Sequence, residues 1–230
     1  MNSNGIIIAI DGPAGAGKSS VAKLLSEKLG YRYIDTGAMY RSVALVALHQ
    51  QVNLTDEGAL GVIAKNFKFE FKNYLNQLQV WVNDEDVTSK IRTPEVTAAS
   101  FYSANALSVR TALVELQRKM ALESCQLFGG AILEGRDTGT IVYPQAQYKF
   151  FLNATVEKRA ERRLKDMLKA GMAEKLDVII QQIKARDEKD YQREYGGLKK
   201  TEDYILMDHT MLTVDESAHA IYQYILEHPR

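Results

Sequence analysis

The run Gly12-Pro13-Ala14-Gly15-Ala16-Gly17-Lys18-Ser19 has the residue types and spacing to hold a string of phosphates. Glycines let backbone amides approach anionic oxygens, the lysine reaches the terminal phosphates, and the hydroxyl beside it suits a Mg²⁺ ion. A β-branched, apolar run, Ile6 to Ile10, precedes this loop, and an amphipathic stretch from Lys18 to Leu29 follows it. A helix N-terminus therefore points its partial positive charge into the turn. Gly12, Pro13, Ala14, Gly15, Ala16, Gly17, Lys18, Ser19 and Ser20 are accordingly the candidate triphosphate-binding residues, with Ser19 as metal ligand. The loop implies a bound nucleoside triphosphate and leaves the reaction open.

Two familiar uses of such a loop are disfavoured. The chain has neither the N-K-x-D nor the D-x-x-G motif that a guanine-nucleotide switch needs. The loop also ends in Lys-Ser where a dinucleotide-binding turn would carry its third glycine. Phosphoryl transfer is the remaining chemistry.

The elements that must position these residues follow from periodicity. Short β-branched runs alternate with longer amphipathic stretches, the rhythm of a parallel sheet covered by helices. Strands are predicted over Ile6–Ile10, Tyr31–Ile34, Ala131–Glu134, Lys149–Leu152 and Tyr204–Met207, making a parallel five-stranded sheet in an α/β phosphate-loop kinase fold. Helices are predicted over Lys18–Leu29, Ala38–Gln50, Asp56–Asn66, within Pro94–Leu127 behind a Thr93 cap, and over Val214–Glu227 behind a Thr213/Glu216 capping box. Gly30 stands where the first helix would take a left-handed C-terminal cap. Phe67, Phe69 and Phe71, then Leu78, Val80 and Val82, alternate at strand spacing, so Phe67–Val87 reads as an antiparallel hairpin with a turn within Lys72–Gln77. That insert, about residues 67–90, is a separate small lobe in an otherwise single domain spanning 1–230, with Trp81 expected in its core.

Several further motifs recur in a fixed order. They are Asp35-Thr36-Gly37-Ala38-Met39-Tyr40-Arg41, Ile91-Arg92-Thr93-Pro94-Glu95-Val96, Val109-Arg110, Glu134-Gly135-Arg136-Asp137-Thr138-Gly139-Thr140-Ile141-Val142, and Ile183-Lys184-Ala185-Arg186-Asp187. In order and spacing the chain resembles the bacterial cytidylate kinases, and these motifs sample nearly its whole length. The resemblance implies transfer of the γ-phosphoryl group of ATP to CMP or dCMP, with Mg²⁺ as cofactor and a short helical lid at about residues 157–195. By the same resemblance Thr36, Arg41 and Arg136 hold the acceptor nucleotide, Arg110 and Asp137 read the cytosine, and Arg186, Asp190 and Arg193 reach from the lid to phosphates and sugar. Lys18, Arg136 and Arg186 are then the catalytic cations, while Arg159, Arg162 and Arg163 are either further ATP contacts or an exposed, ion-paired helix face. Arginine suits such work because its planar fork grips phosphate and keeps its proton.

The sequence departs from that pattern in places. Thr36 replaces the serine of many relatives, which keeps the hydroxyl, but Phe101 stands where a base-contacting serine is expected, with Ser100 one place earlier. Ser19-Ser20 replaces the more familiar Gly-Thr or Ser-Thr ending of the loop. Glu134 is open between a water-mediated Mg²⁺ partner and an orienting group for Arg136. A kinase of another acceptor (UMP, AMP or a small alcohol) and a non-catalytic nucleotide sensor are the rival readings.

Composition narrows the setting. Of 230 residues, 29 are Lys or Arg and 29 are Asp or Glu, so no overall positive field favours nucleic acid or an anionic membrane. Ile6–Ile10 is far shorter than the roughly 20 residues that span a bilayer, and the Met1–Gly5 start lacks the basic residues of a leader. The single cysteine, Cys125, fits a reducing compartment, and a cytoplasmic monomer whose partners are ATP and a pyrimidine monophosphate is expected. His49, His209, His219 and His228 lack metal-ligand spacing and are expected to be structural.

Overall fold

A buried isoleucine-rich strand needs neighbours on both edges, and in the computed structural model, which describes residues 5–74, 77–169 and 171–230, it has them. Strand β1, Ile6–Asp11, lies at the centre of a five-stranded sheet. Helix α1, Lys18–Leu29, follows; then come β2, Arg32–Asp35, α2, Thr36–His49, and α3, Glu57–Asn66. A three-stranded sheet is made of β3, Phe69–Tyr74, β4, Gln77–Val82, and β5, Glu85–Asp86. Helices α4, Pro94–Asn105, and α5, Leu107–Phe128, lead to β6, Gly130–Gly135, and β7, Tyr148–Asn153. The chain ends with α6, Val156–Lys169, α7, Leu176–Gln192, β8, Ile205–Asp208, and α8, Val214–Glu227. The large sheet runs β2-β6-β1-β7-β8, with β1 parallel to β6 and β7, and β8 parallel to β7.

The chain divides into two compact units, one made of Met1–Tyr33 with Ala121–Arg230, the other of Ile34–Met120. In the first, Ile8, Ala9, Ile10, Ile132 and Leu133 are sealed from water, as β-branched strands covered on both faces must be. Helix α1 buries Val21, Ala22 and Leu25 and ends on Gly30 in the left-handed conformation, as its position after the last apolar residue predicts. Register sets Asp11 of β1 beside Gly135 of β6, so the two segments leaving these strands start side by side. Ala160 of α6 packs with Ile179 and Ile183 of α7 in a small apolar cluster.

In the second unit, Asp35, Asp56 and Thr93 cap α2, α3 and α4 by accepting the amides of Ala38, Ala59 and Val96. The expected hairpin forms, and the turn placed within Lys72–Gln77 falls on residues 75–76, outside the described ones. It gains a third strand that periodicity over two residues could not reveal. Asn83 and Asp84, with φ of 49° and 66°, make the left-handed turn that joins β4 to β5. Trp81 corrects the expectation of a core residue. It pairs across from Glu70, on the face opposite the buried Phe69, Phe71, Val80 and Val82, and the Lys72 ammonium sits 3.8 Å from its ring centre.

Cys125 is half-buried and burial raises its thiol pKa, which fits a packing residue. Among the described residues no helix is long and apolar enough to cross a membrane.

Gln117 of α5 is sealed from water, and among the described residues neither side-chain amide atom has a hydrogen-bond partner. Replacing such a group by an apolar side chain of similar shape removes a desolvation penalty of about 1 kcal/mol or more. Gln117→Met should therefore raise the melting temperature by about 2–4 °C in a calorimetric scan, and a lowered value would show that the amide is satisfied in solution.

Candidate active site

The phosphate loop occupies the carboxyl end of β1, where open parallel sheets place their ligand crevices. Its geometry demands glycine at two points. Gly12 has φ of 150°, and a Cβ there would lie 2.0 Å from the Leu152 carbonyl oxygen. Gly17, with φ of 84°, starts α1, and a Cβ would lie 2.7 Å from Nε2 of His209. The loop is also held from outside. The Ala14 amide donates to Asp187 Oδ1 at 3.2 Å, and Arg159 Nη1 donates both to the Ala14 carbonyl at 2.9 Å and to Asp187 Oδ2 at 2.6 Å. With its Nε on the Ala154 carbonyl, Arg159 is buried and committed to bracing the loop, which settles its role against an exposed helix face.

Lys18 is buried, and its Nζ donates to the Pro13 carbonyl at 2.9 Å while lying 3.6 Å from Glu134 Oε1. Glu134 Oε2 accepts from the Ser19 hydroxyl at 2.9 Å and from the Tyr33 hydroxyl at 3.3 Å. Burial, then the nearby charges of Arg136 and Arg186, lower the Lys18 pKa to about 7; Glu134 and Asp11 oppose them only in part. Burial weighs most on this ammonium, and a nearby anion would favour its charged form.

Arg136 leaves the end of β6 and donates from Nε to Asp190 Oδ2 at 2.8 Å and from Nη1 to the Gly135 carbonyl at 3.1 Å. Arg193 Nη2 donates to the other oxygen of Asp190 at 2.9 Å, so one carboxylate on α7 gathers two arginines. Burial pushes the Asp190 carboxyl upward, but Arg136, Arg193 and Arg186 outweigh it and hold the group below the usual carboxylate range. Arg186 lies one helical turn before Asp190 on α7, half-buried, and Asp137 is buried beside Arg136 in the chain. Lys18, Arg136, Arg186, Asp190 and Arg193 therefore lie near one another.

Arg162 is placed differently from Arg159. Its Nη2 donates to the His209 carbonyl at 2.6 Å, and its buried Nη1, without a partner among the described residues, lies 3.8 Å from the point where Gly17 would carry a Cβ. His209 meets the Ser217 hydroxyl through Nδ1, and burial, then Arg162, lowers its pKa to about 4. The imidazole is neutral near pH 7 and packs the loop at Gly17, a structural role in keeping with its sequence.

The Ile34–Met120 unit carries the remaining predicted residues. Thr36 is buried in the first turn of α2. Arg41, further along α2, donates to Asp35 Oδ2 at 3.3 Å and keeps a buried Nε without a partner among the described residues. Arg110 is almost wholly buried, donating to the Ala104 carbonyl at 3.0 Å with its guanidinium 5.4 Å from the Tyr40 ring centre. The Ser100 hydroxyl donates to the Thr97 carbonyl at 2.7 Å, whereas Phe101 is exposed against Tyr102.

Sequence reasoning misses two carboxylates, Asp11 and Asp187. Asp11 is fully buried at the last position of an otherwise apolar strand, directly before the phosphate loop. A charge in that place is the signal that could have exposed it, because a buried carboxylate demands donors. Asp187 closes the motif Ile183–Asp187, but its role depends on α7 meeting the loop.

The sequence pattern of the cytidylate kinase family matches residues 8–227. A cytidylate kinase from Geobacillus sp. (strain WCH70) is 46% identical over 224 residues, 97% of this chain and 98% of that one. Another, from Citrifermentans bemidjiense, is 42% identical over 216 residues, 94% of this chain and 91% of that one. Among solved structures, a protein from Thermus thermophilus aligns with a TM-score of 0.51 at 16% identity, over 99% of each chain, a likeness of fold.

The lowered Lys18 pKa has a measurable consequence. At pH 8 a group with a pKa of about 7 is about one-tenth protonated, and phosphates arriving beside it restore the charge. Binding of MgATP at pH 8 should therefore take up close to one proton, read by calorimetry in buffers of different ionisation heat. The uptake should shrink as the pH falls below 7 and vanish in Lys18→Met; none in the native protein would contradict the assignment.

Proposed function

The chain belongs to the cytidylate kinase family, and from that membership we propose that it moves the γ-phosphoryl group of ATP onto CMP or dCMP, giving ADP and CDP or dCDP. The observation that carries the proposal is the convergence of Lys18, Arg136 and Arg186. Arg136, at the end of β6, and Arg186, on helix α7, both act on the buried Lys18 of the loop after β1. That is the arrangement a transferring phosphoryl group needs, because its transition state spreads negative charge over oxygens that fixed cations stabilise.

In this reading residues 12–20 cradle the triphosphate of ATP. Lys18, Arg136 and Arg186 neutralise the phosphoryl group in transit. The acceptor is itself a phosphate, already ionised near pH 7, so the reaction needs alignment more than a strong base. Thr36, Arg41 and Arg136 hold the monophosphate, and the buried Nε of Arg41 is a donor suited to it. Arg110 and Asp137 read the cytosine edge. Arg186 and Asp190 meet the sugar hydroxyls, and Arg193 the phosphates. The segment at about 157–195 serves as a lid and the insert at about 67–90 as the monophosphate lobe.

The residues present also fit Mg²⁺. The Ser19 hydroxyl would hold it, with Glu134 2.9 Å away to accept from that hydroxyl or a water. When bound, the ion would neutralise charge between the β- and γ-phosphates.

The test is ADP release in a coupled assay across CMP, dCMP, UMP, AMP and shikimate. CMP and dCMP should be preferred, and Lys18→Ala should lower turnover about 10²- to 10³-fold while leaving the fold intact. Preference for AMP would overturn the cytosine assignment. ATP binding with no ADP released by any acceptor would replace the kinase by a nucleotide sensor.

A further inference from the structure

One buried pair of side chains lies between the phosphate loop and the arginine-bearing segment, and no step of the proposed transfer uses it. Asp11 is completely buried, and its carboxylate accepts three hydrogen bonds: from the Thr138 amide at 3.0 Å, the Gly139 amide at 2.8 Å and the Tyr204 hydroxyl at 2.5 Å. The two amides belong to the residues directly after Asp137. They open a wide turn, Thr138–Val142, closed onto the Asp137 carbonyl by the amides of Ile141 and Val142 at 2.9 and 3.2 Å. In the chain, Asp11 is also the residue before Gly12. A single carboxylate thus joins the root of the phosphate loop to the backbone from which Arg136 and Asp137 project.

Tyr204 supports the opposite side as well. Its ring meets Phe151 edge to face at 6.0 Å and packs with Leu198. The Leu198 amide donates to the Asp190 carbonyl at 2.8 Å, and Asp190 in turn grips Arg136. Both members of the Arg136–Asp190 pair therefore rest on this tyrosine, one through its hydroxyl and Asp11, the other through its ring and Leu198. There is little slack: a Cβ on Gly139 would lie 2.5 Å from the tyrosine oxygen. Burial and the Asp11 charge raise the phenol pKa, so the hydroxyl remains a donor throughout the range in which phosphates are ionised.

We infer that Asp11 and Tyr204 are positioning residues for the acceptor: their hydrogen bond sets the Arg136–Asp137 segment in register with the triphosphate loop. The inference rests on the reading that Arg136 and Asp137 hold the acceptor nucleotide. A fully buried carboxylate demands donors, and two of the three that Asp11 takes are the amides directly after the recognition residues. Small errors in such a register are costly, because in-line transfer depends on the alignment of the two phosphates.

Tyr204→Phe tests this with the ring and its packing kept. It should raise KM for CMP and lower kcat, together reducing kcat/KM for CMP about tenfold, while KM for ATP stays within about twofold. Amide hydrogen exchange across Thr138 and Gly139 should accelerate about tenfold or more, with the phosphate loop unchanged. Unaltered CMP kinetics, or a rise in both KM values together with a general loss of melting temperature, would overturn the inference. Arg136→Met separates the two readings. If it leaves KM for CMP unchanged, the acceptor reading fails; if it raises that KM and Tyr204→Phe does not, the positioning inference fails.

Discussion

The structure depends on holding cationic side chains close together around the phosphate loop. Arg136 and Arg186 lower the Lys18 pKa, and Arg193 is tied to Arg136 through Asp190. Three of the four have carboxylate holders. Glu134 faces Lys18, Asp190 spans Arg136 and Arg193, and Asp187 with Arg159 fixes the phosphate loop itself. Burying such pairs costs desolvation, so their worth lies less in stability than in setting cations where phosphate oxygens will need them. Lys18 is the place where the balance is poorest, and it is the group that a triphosphate would complete.

The parallel sheet solves the positioning problem. Because β1 and β6 are neighbours with Asp11 beside Gly135, the loop after one and the arginine segment after the other emerge together at the carboxyl end. The right chemistry needs only the next few residues of each strand. Helix α7 then brings Arg186, Asp187 and Asp190, with Arg193 as its C-cap residue, so one element serves the loop and the arginines at once. The helix macrodipole of α1 adds to the same field.

Much of this was legible in the sequence for a physical reason. Strong periodicity and special backbone angles leave marks: the isoleucine run of β1, Gly30 ending α1, Pro94 behind the Thr93 cap, and Thr213 with Glu216 opening α8 all stand where they were predicted. What was missed depends on contacts between distant segments. Two residues are too few to show a period, so β5 was invisible. Trp81 was expected in the insert's core, although its place between Val80 and Val82 on β4 and opposite Glu70 puts it on the other face. Asp187 and Tyr204 act through partners 173 and 193 positions away, at Ala14 and Asp11. No local pattern encodes such a pairing. Arg159 was ambiguous for the same reason, since an amphipathic helix shows which face is polar and not what that face meets.

Central to this account is that the cation cluster carries a phosphoryl group between two nucleotides and does not merely bind or hydrolyse one. The most direct measurement follows the label from ATP marked at its γ-phosphorus, in a single turnover with CMP present. The account requires the label to appear in the β-phosphate of CDP, with none released as orthophosphate before product forms. Label recovered as orthophosphate at the same rate with and without CMP would contradict it.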